Sequence, residues 1–202
     1  MKLLKMILLA AALVVASGVQ ASDRRKMNFN AGWRLAVGDF AEASQPGFDD
    51  ARWQQVTLPY AFNGNEAFRK DIVDLTDTIV WYRKEFNVQS SMFNEQKVFV
   101  EFEGVRQGAD FYLNGHHLGY SENGVMACGF DLSPYIIKGR NVLAVRCDNS
   151  WTYRSREYDS RYQWNDRNFN ANYGGIPKNV WLHVTDKLYQ TLPLYSNLGT
   201  TG

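Results

Sequence analysis

Apolar and polar residues alternate in short runs along most of this chain, with turn residues rather than helical segments between them. Ile79 to Val88 (IVWYRKEFNV) alternates and is rich in β-branched and aromatic residues, and Val98 to Phe102 repeats the pattern after a polar break. Both are predicted strands. Phe102 closes that run, Gly104 to Gly108 interrupt it, and Ala109, Phe111 and Leu113 resume the alternation before Asn114-Gly115. An Asn-Gly pair between extended runs signals a type I′ hairpin, because both central residues need positive φ. His116 to Tyr120 is then the predicted return strand.

Asn28 to Val37 reads as one opening strand, followed by a polar loop that holds Phe48-Asp49-Asp50 ahead of Trp53 and ends at Val56-Thr57-Leu58-Pro59. Phe130-Asp131-Leu132-Ser133-Pro134 turns out of a strand, Gly139-Arg140 turns into Asn141 to Cys147, and Asn179 to Thr185 alternates once more. Strands joined by short turns argue for an antiparallel arrangement. A sheet with one apolar face needs a second to cover it, so the expected fold is all-β, an antiparallel β-sandwich. Tyr60 to Thr78 has no clean period; its Asp71, Asp74 and Asp77 lack the spacing and glycine of an EF-hand and read as a solvated face.

The N-terminus changes what counts as the folded chain. Lys2 and Lys5 precede an apolar run from Met6 to Ala16, and Val19-Gln20-Ala21 has the form of a cleavage site, so residues 1–21 read as a secretory signal peptide. The mature chain is expected from Ser22, periplasmic or secreted, with one domain over residues 22–187 and a linker over 188–202. The apolar run is short for a bilayer, and no cysteine near the cut accepts a lipid, so no membrane anchor is expected. The sequence has 22 basic and 21 acidic residues; without Lys2 and Lys5 the balance is 20 to 21, which gives no electrostatic reason to expect nucleic acid. Cys128 and Cys147 pair if their strands lie side by side, and are otherwise buried apolar thiols. No CxxC or Cys/His spacing suggests zinc, and no cofactor is implied.

A set of short motifs runs through the chain in order: Phe48-Asp49-Asp50 with Trp53, Trp81-Tyr82-Arg83-Lys84 with Phe86, Phe102-Glu103-Gly104-Val105, and Ala109-Asp110 with Leu113-Asn114-Gly115 and Leu118-Gly119. Phe130-Asp131-Leu132, Asn141 to Val145, Asp148-Asn149-Ser150, Gly174-Gly175-Ile176 and Val180-Trp181-Leu182 follow. In these the chain resembles the N-terminal domain of glycoside hydrolase family 2, which includes β-galactosidases, β-glucuronidases and β-mannosidases. The resemblance implies a galactose-binding-domain-like jelly roll, called a sugar-binding domain, ahead of an immunoglobulin-like domain and a catalytic barrel. It also implies a retaining hydrolysis of β-linked carbohydrate by two glutamates on that barrel, and no catalytic residue in this chain. One departure is Pro177-Lys178 after Gly175-Ile176, where many members have arginine; lysine keeps the charge and loses the planar fork.

Asn149 to Tyr173 is a long loop crowded with aromatics, asparagines and arginines, and a loop of that length inside a compact domain is usually functional. Aromatic rings stack on sugar C–H faces, while planar amides, carboxylates and guanidinium groups take hydroxyl pairs. The resemblance points to Asp166 as the acidic residue that reaches a substrate hydroxyl, with Trp164, Asn165 and Arg167 beside it and Asn63 or Asn65 as a further sugar contact. The alternative is that the loop packs against the following barrel and touches no sugar. Arg154, Arg156, Arg161 and Arg167 fit an anionic sugar, or equally local ion pairs with Glu157, Asp159 and Asp166.

Glu101 and Glu103 share one strand face and are expected to be solvated, not a catalytic pair, because glycosidase carboxylates flank the sugar from two sides. His116 and His117 follow the hairpin turn and His183 alternates in a strand; no partner for a triad or a metal is evident. A stand-alone carbohydrate-binding module, with Trp151, Tyr162 and Trp164 as stacking platform, is the alternative function, and a purely structural interaction domain the third.

Overall fold

The computed structural model describes residues 24–64, 77–88, 96–161 and 173–189. Its strands are β1 (Arg25–Asn28), β2 (Trp33–Val37), β3 (Gln54–Val56), β4 (Tyr60–Ala61), β5 (Ile79–Val88) and β6 (Gln96–Phe102). They continue as β7 (Gly108–Leu113), β8 (His116–Ser121), β9 (Cys128–Asp131), β10 (Gly139–Asp148), β11 (Gly175–Ile176) and β12 (Val180–Asp186). A larger sheet orders β3-β2-β5-β10-β7-β8, a smaller one β1-β12-β6-β9, and β4 and β11 form a short ribbon. Every pairing is antiparallel. From β5 to β10 the chain alternates between the sheets, and only the β7–β8 hairpin stays in one, which is a jelly-roll path.

That hairpin turns where the residues say it must. Asn114 and Gly115 have φ of 52° and 86°, so both central residues are left-handed, and Leu113 pairs with His116. Asn114 also ties the turn inward, its amide donating to Asn141 Oδ1 at 2.8 Å and its Oδ1 accepting from Val142 N at 2.9 Å.

The inward residues of the two sheets form the core: Trp33, Val100, Phe102, Phe111, Leu113, Leu143, Val145, Val180 and Val184 are all fully buried. Phe111 stands between Phe102 and Phe130, with centroids 4.8 and 4.5 Å away. Each large apolar side chain taken from water contributes about 1.5–3 kcal/mol. The outer face of the larger sheet is covered too, because the loop between β2 and β3 folds over Trp81 and Ala144 with Ala43, Phe40, Phe48 and Trp53. Arg83 fastens this cover: its Nε donates to Asp50 Oδ2 at 2.8 Å and its Nη1 to the carbonyls of Ala43 and Gln45. Phe48-Asp49-Asp50 is thus a packing and ion-pair motif.

Three expectations change, and the open alternative for the cysteines is decided in favour of buried thiols. The opening strand is two strands in different sheets, β1 and β2, because Asn28 Oδ1 accepts from Asn30 N at 3.0 Å and Gly32 takes φ of 73°, turning the chain across the sandwich. Cys128 and Cys147 are free buried thiols on opposite sheets, not neighbours in one; burial pushes the Cys128 thiol up to about 12 and that of Cys147 higher. Glu101 is not solvated but 1% exposed, held by His183 Nε2 at 2.6 Å and Lys26 Nζ at 3.3 Å. Two of the histidines have carboxylate partners, since His117 Nε2 also lies 2.9 Å from Asp110 Oδ1, while His116 stacks on Tyr135.

Candidate functional site

One end of the sandwich gathers the β3–β5 connection, the β6–β7 crossing, the β8–β9 loop and both ends of the stretch between β10 and β12. The β4–β11 ribbon is its floor, pairing Tyr60 with Ile176 and Ala61 with Gly175. Arg106 and Gly175 exchange both backbone hydrogen bonds, at 2.9 and 2.8 Å, and so join the β6–β7 crossing to the same ribbon. The approach is close enough to require glycine: a Cβ on Gly175, at φ of 90°, would stand 2.1 Å from the Tyr82 hydroxyl, and one on Gly174 would stand 2.3 Å from the Phe62 ring. Tyr82 in turn donates to Tyr60 O at 2.7 Å.

Asn63 belongs to this floor. It is 1% exposed, and its Oδ1 accepts from Gly174 N at 3.0 Å, so its carboxamide fixes the approach of the two segments. Asp77, expected to be solvated, receives Trp151 N at 2.7 Å and anchors the start of the long loop. Asp148 caps the same start, accepting from Ser150 N at 3.1 Å and Ser150 Oγ at 2.6 Å, which explains Asp148-Asn149-Ser150.

Residues 153–156 are then clamped by two carboxylates on the hairpin edge. Glu122 accepts from Tyr153 Oη at 2.7 Å, Arg156 N at 2.8 Å and Ser155 Oγ at 3.3 Å. Asp110 takes both guanidinium nitrogens of Arg156, at 2.9 and 2.6 Å, and the guanidinium lies 4.6 Å over the Tyr120 ring. Such planar fork pairing is the strong form of the charge-assisted bond. Burial alone raises the Asp110 pKa, but Arg156 and then His117 outweigh it and hold the carboxyl below its ordinary range. The Tyr153 hydroxyl is pushed up by burial and by Glu122, and stays a neutral donor.

Among the arginines of the loop, Arg154 pairs locally with Asp159 at 2.5 Å, as expected of a local pair, whereas Arg156 reaches a distant strand. Asp166, Trp164, Asn165 and Arg167, together with Tyr162 and Asn65, lie outside the described residues. Lys178 lies across Gly104 and donates to Val125 O at 3.0 Å, making it a peg between loops. Glu103 accepts from Trp181 Nε1 at 2.8 Å and Asn179 Nδ2 at 2.9 Å. Although burial raises its pKa, these donors bring it to a net lowering, opposite to what a general acid needs. Among the described residues no group of three or more His, Cys, Asp or Glu is placed to hold a metal ion. Sequence reasoning missed Asp110 and Glu122. The parity of Asp110 with Tyr112 signals an outward side chain, but nothing local names its partner.

An antiparallel sandwich of this path, with the start of the stretch after β10 fastened onto one end, belongs to the class of jelly-roll β-sandwich domains. The model of the sugar binding domain of glycosyl hydrolases family 2 matches residues 31–186, and the chain belongs to that family. It is 38% identical over 193 residues to a β-glucuronidase of Formosa agariphila, covering 91% of this chain and 19% of that protein. With the β-galactosidase BoGH2A of Bacteroides ovatus it shares 33% identity over 86% of this chain and 20% of the other. The solved structure of a β-glucuronidase from glycoside hydrolase family 2 superposes with a TM-score of 0.72 at 35% identity, over 91% of this chain and 20% of that one. The chain therefore spans about a fifth of the length of these relatives.

Proposed function

We propose that this chain works as the N-terminal domain of an exported retaining β-glycosidase that hydrolyses terminal β-linked sugars. The observation that carries the reading is the family match over residues 31–186 to relatives about five times as long. Hydrolysis with retention needs two carboxyl groups about 5–5.5 Å apart, flanking the glycosidic bond. Glu101 and Glu103 are committed instead to His183 and to Trp181 and Asn179, so the pair is assigned to the domains that follow. This domain's part is to fasten a loop at the sugar end of the enzyme, with Asp166 as the residue that accepts from a sugar hydroxyl and Trp164, Asn165 and Arg167 around it. Asn63 supports that end through Gly174. Export follows from the leader read in residues 1–21.

The test is to express the gene product that contains this chain and its following domains and assay it on aryl β-glucuronides, β-galactosides and β-mannosides. Turnover by the longer protein and none by the 202-residue chain supports the reading. In that protein Asp166→Asn is expected to lower kcat/KM by roughly tenfold to a hundredfold, the loss of one charge-assisted hydrogen bond. A longer protein inert on all three classes, or a chain active alone after purification, overturns it.

A further inference from the structure

The β8–β9 loop, residues 122–127, is pinned by hydrogen bonds and yet presents apolar side chains to water. Asn123 Oδ1 accepts from the backbone N–H of Val125 and of Met126, both at 3.2 Å. Lys178 Nζ donates to Val125 O at 3.0 Å from one side, and Gln107 Nε2 donates to Glu122 O at 3.3 Å from the other. Val125 and Met126 at the tip are nevertheless 64% and 58% exposed. Small apolar patches rimmed by polar groups, on a loop that needs no ordering to bind, are what a contact surface requires.

Arg106 stands at the base of this tip. A Cβ on Gly124 would lie 3.0 Å from its Cγ, so the loop backbone rests on the arginine stem. Its Nε is buried without a hydrogen-bond partner, and among the described residues no carboxylate acts on its guanidinium. Arg34, Arg83, Arg140, Arg146, Arg154 and Arg156 all have one. Arg106 is half-buried, so the cost falls on this one desolvated N–H, and it is relieved when an acceptor such as a carboxylate is brought to it. Burial alone moves its pKa, downward, as expected where no anion is close.

We propose that Arg106, Lys178, Val125 and Met126 form a docking surface for another domain of the same enzyme, which covers the apolar tip and sets a carboxylate against Arg106. This rests on the reading that further domains follow, since the chain is only about a fifth of its relatives' length. An apolar centre with an arginine at its margin matches the composition of such interfaces.

Met126 supplies the readout, because its thioether oxidises to a sulfoxide in dilute hydrogen peroxide when exposed. The rate is measured by mass spectrometry in this chain alone and in the gene product that continues into the following domains, with Met27 as internal reference. Met126 is expected to oxidise at least about tenfold more slowly in the longer protein. Arg106→Gln removes most of that protection, Arg106→Lys keeps part of it, and the exposed-site variant Val125→Lys, which cannot disturb the core, removes it independently. Equal oxidation rates in the two proteins overturn the proposal. So does protection unchanged in Arg106→Gln and Val125→Lys, or protection that appears in the short chain merely on raising its concentration, the mark of a second copy. Glycosidase assays on the same longer protein keep the two readings apart: an active enzyme with Met126 unprotected sinks the docking surface alone, and an inactive one with Met126 protected sinks the functional reading alone.

Discussion

Arg156 reaches from the loop after β10 to Asp110 on β7 and binds it with both terminal nitrogens, at 2.9 and 2.6 Å. Together with Glu122, which holds Tyr153 and Arg156 N, this ties the loop to the same strand pair that forms the Asn-Gly hairpin. Arg156→Ala is expected to destabilise by about 1–2 kcal/mol, the range of a charged hydrogen bond reduced for an exposed partner. Its sharper effect is local. Amides of residues 153–158 should exchange faster with solvent while those of β5 and β10 keep their protection, and Arg156→Lys should restore only part of the difference because the fork is lost. Unchanged exchange in residues 153–158 would contradict the clamp.

Acid acts elsewhere on the same outer face of the larger sheet, beside β2. The Asp50 carboxyl is raised by burial but lowered more by Arg83 and Arg34, ending below its ordinary value of 3.8. A depressed native pKa means that the folded state binds fewer protons, so this contribution is complete above the unfolded value and is lost as pH falls through the native one. Unfolding free energy should therefore decline below about pH 4. Asp50→Asn should be less stable at pH 7, and its deficit against the parent should shrink in acid. Urea titrations from pH 2 to 7 measure this; a deficit constant with pH would refute the assignment.

Two glycines with similar backbone angles separate strain from collision. Gly175 at φ of 90° faces the Tyr82 hydroxyl, and Gly139 at φ of 86° has nothing within 4 Å of a Cβ. Gly139→Ala should cost about 1–2 kcal/mol, the left-handed penalty alone. Gly175→Ala adds a displaced Tyr82 and its bond to Tyr60 O and should cost at least about 3 kcal/mol. Denaturant midpoints at equal m-value decide it.

Cys128 and Cys147, buried with raised pKa values, should both be unreactive to a thiol reagent in the folded protein at pH 8. Both should react on unfolding without reductant. Fewer than the two thiols titrated would show that they had been oxidised.

The strands and the turn were legible because local pattern decides them. Ile79–Val88 is β5 to the residue, and the positive φ of Asn114 and Gly115 follows from the residue types. The split of Asn28 to Val37 was not, since the alternation runs through it and only the Asn28 side-chain turn and Gly32 break it. Burial of Glu101 was misread for a different reason. Alternation tells which face a side chain takes, but both faces of β6 are covered, and His183 is brought to Glu101 by the pairing of β12. The site was legible only in outline. The crowding of residues 149–173 drew attention to a stretch whose first residues are fastened to the sandwich, while Asn63, expected as a sugar contact, is 1% exposed and accepts from Gly174 N. The clamp of Asp110 and Glu122 joins residues that no periodicity links.

The smaller sheet pairs strands far apart in sequence: Arg25 of β1 lies opposite Val184 of β12, and among the described residues β12 is the strand that connects β1 to β6. During synthesis β1 emerges first and finds no partner until almost the whole domain has left the ribosome. Folding of this half cannot proceed vectorially, and such long-range pairing is slow. A nascent chain halted before Val180 therefore leaves the β12 side of β6 with its neighbour still unmade, an unpaired edge that the finished domain does not present.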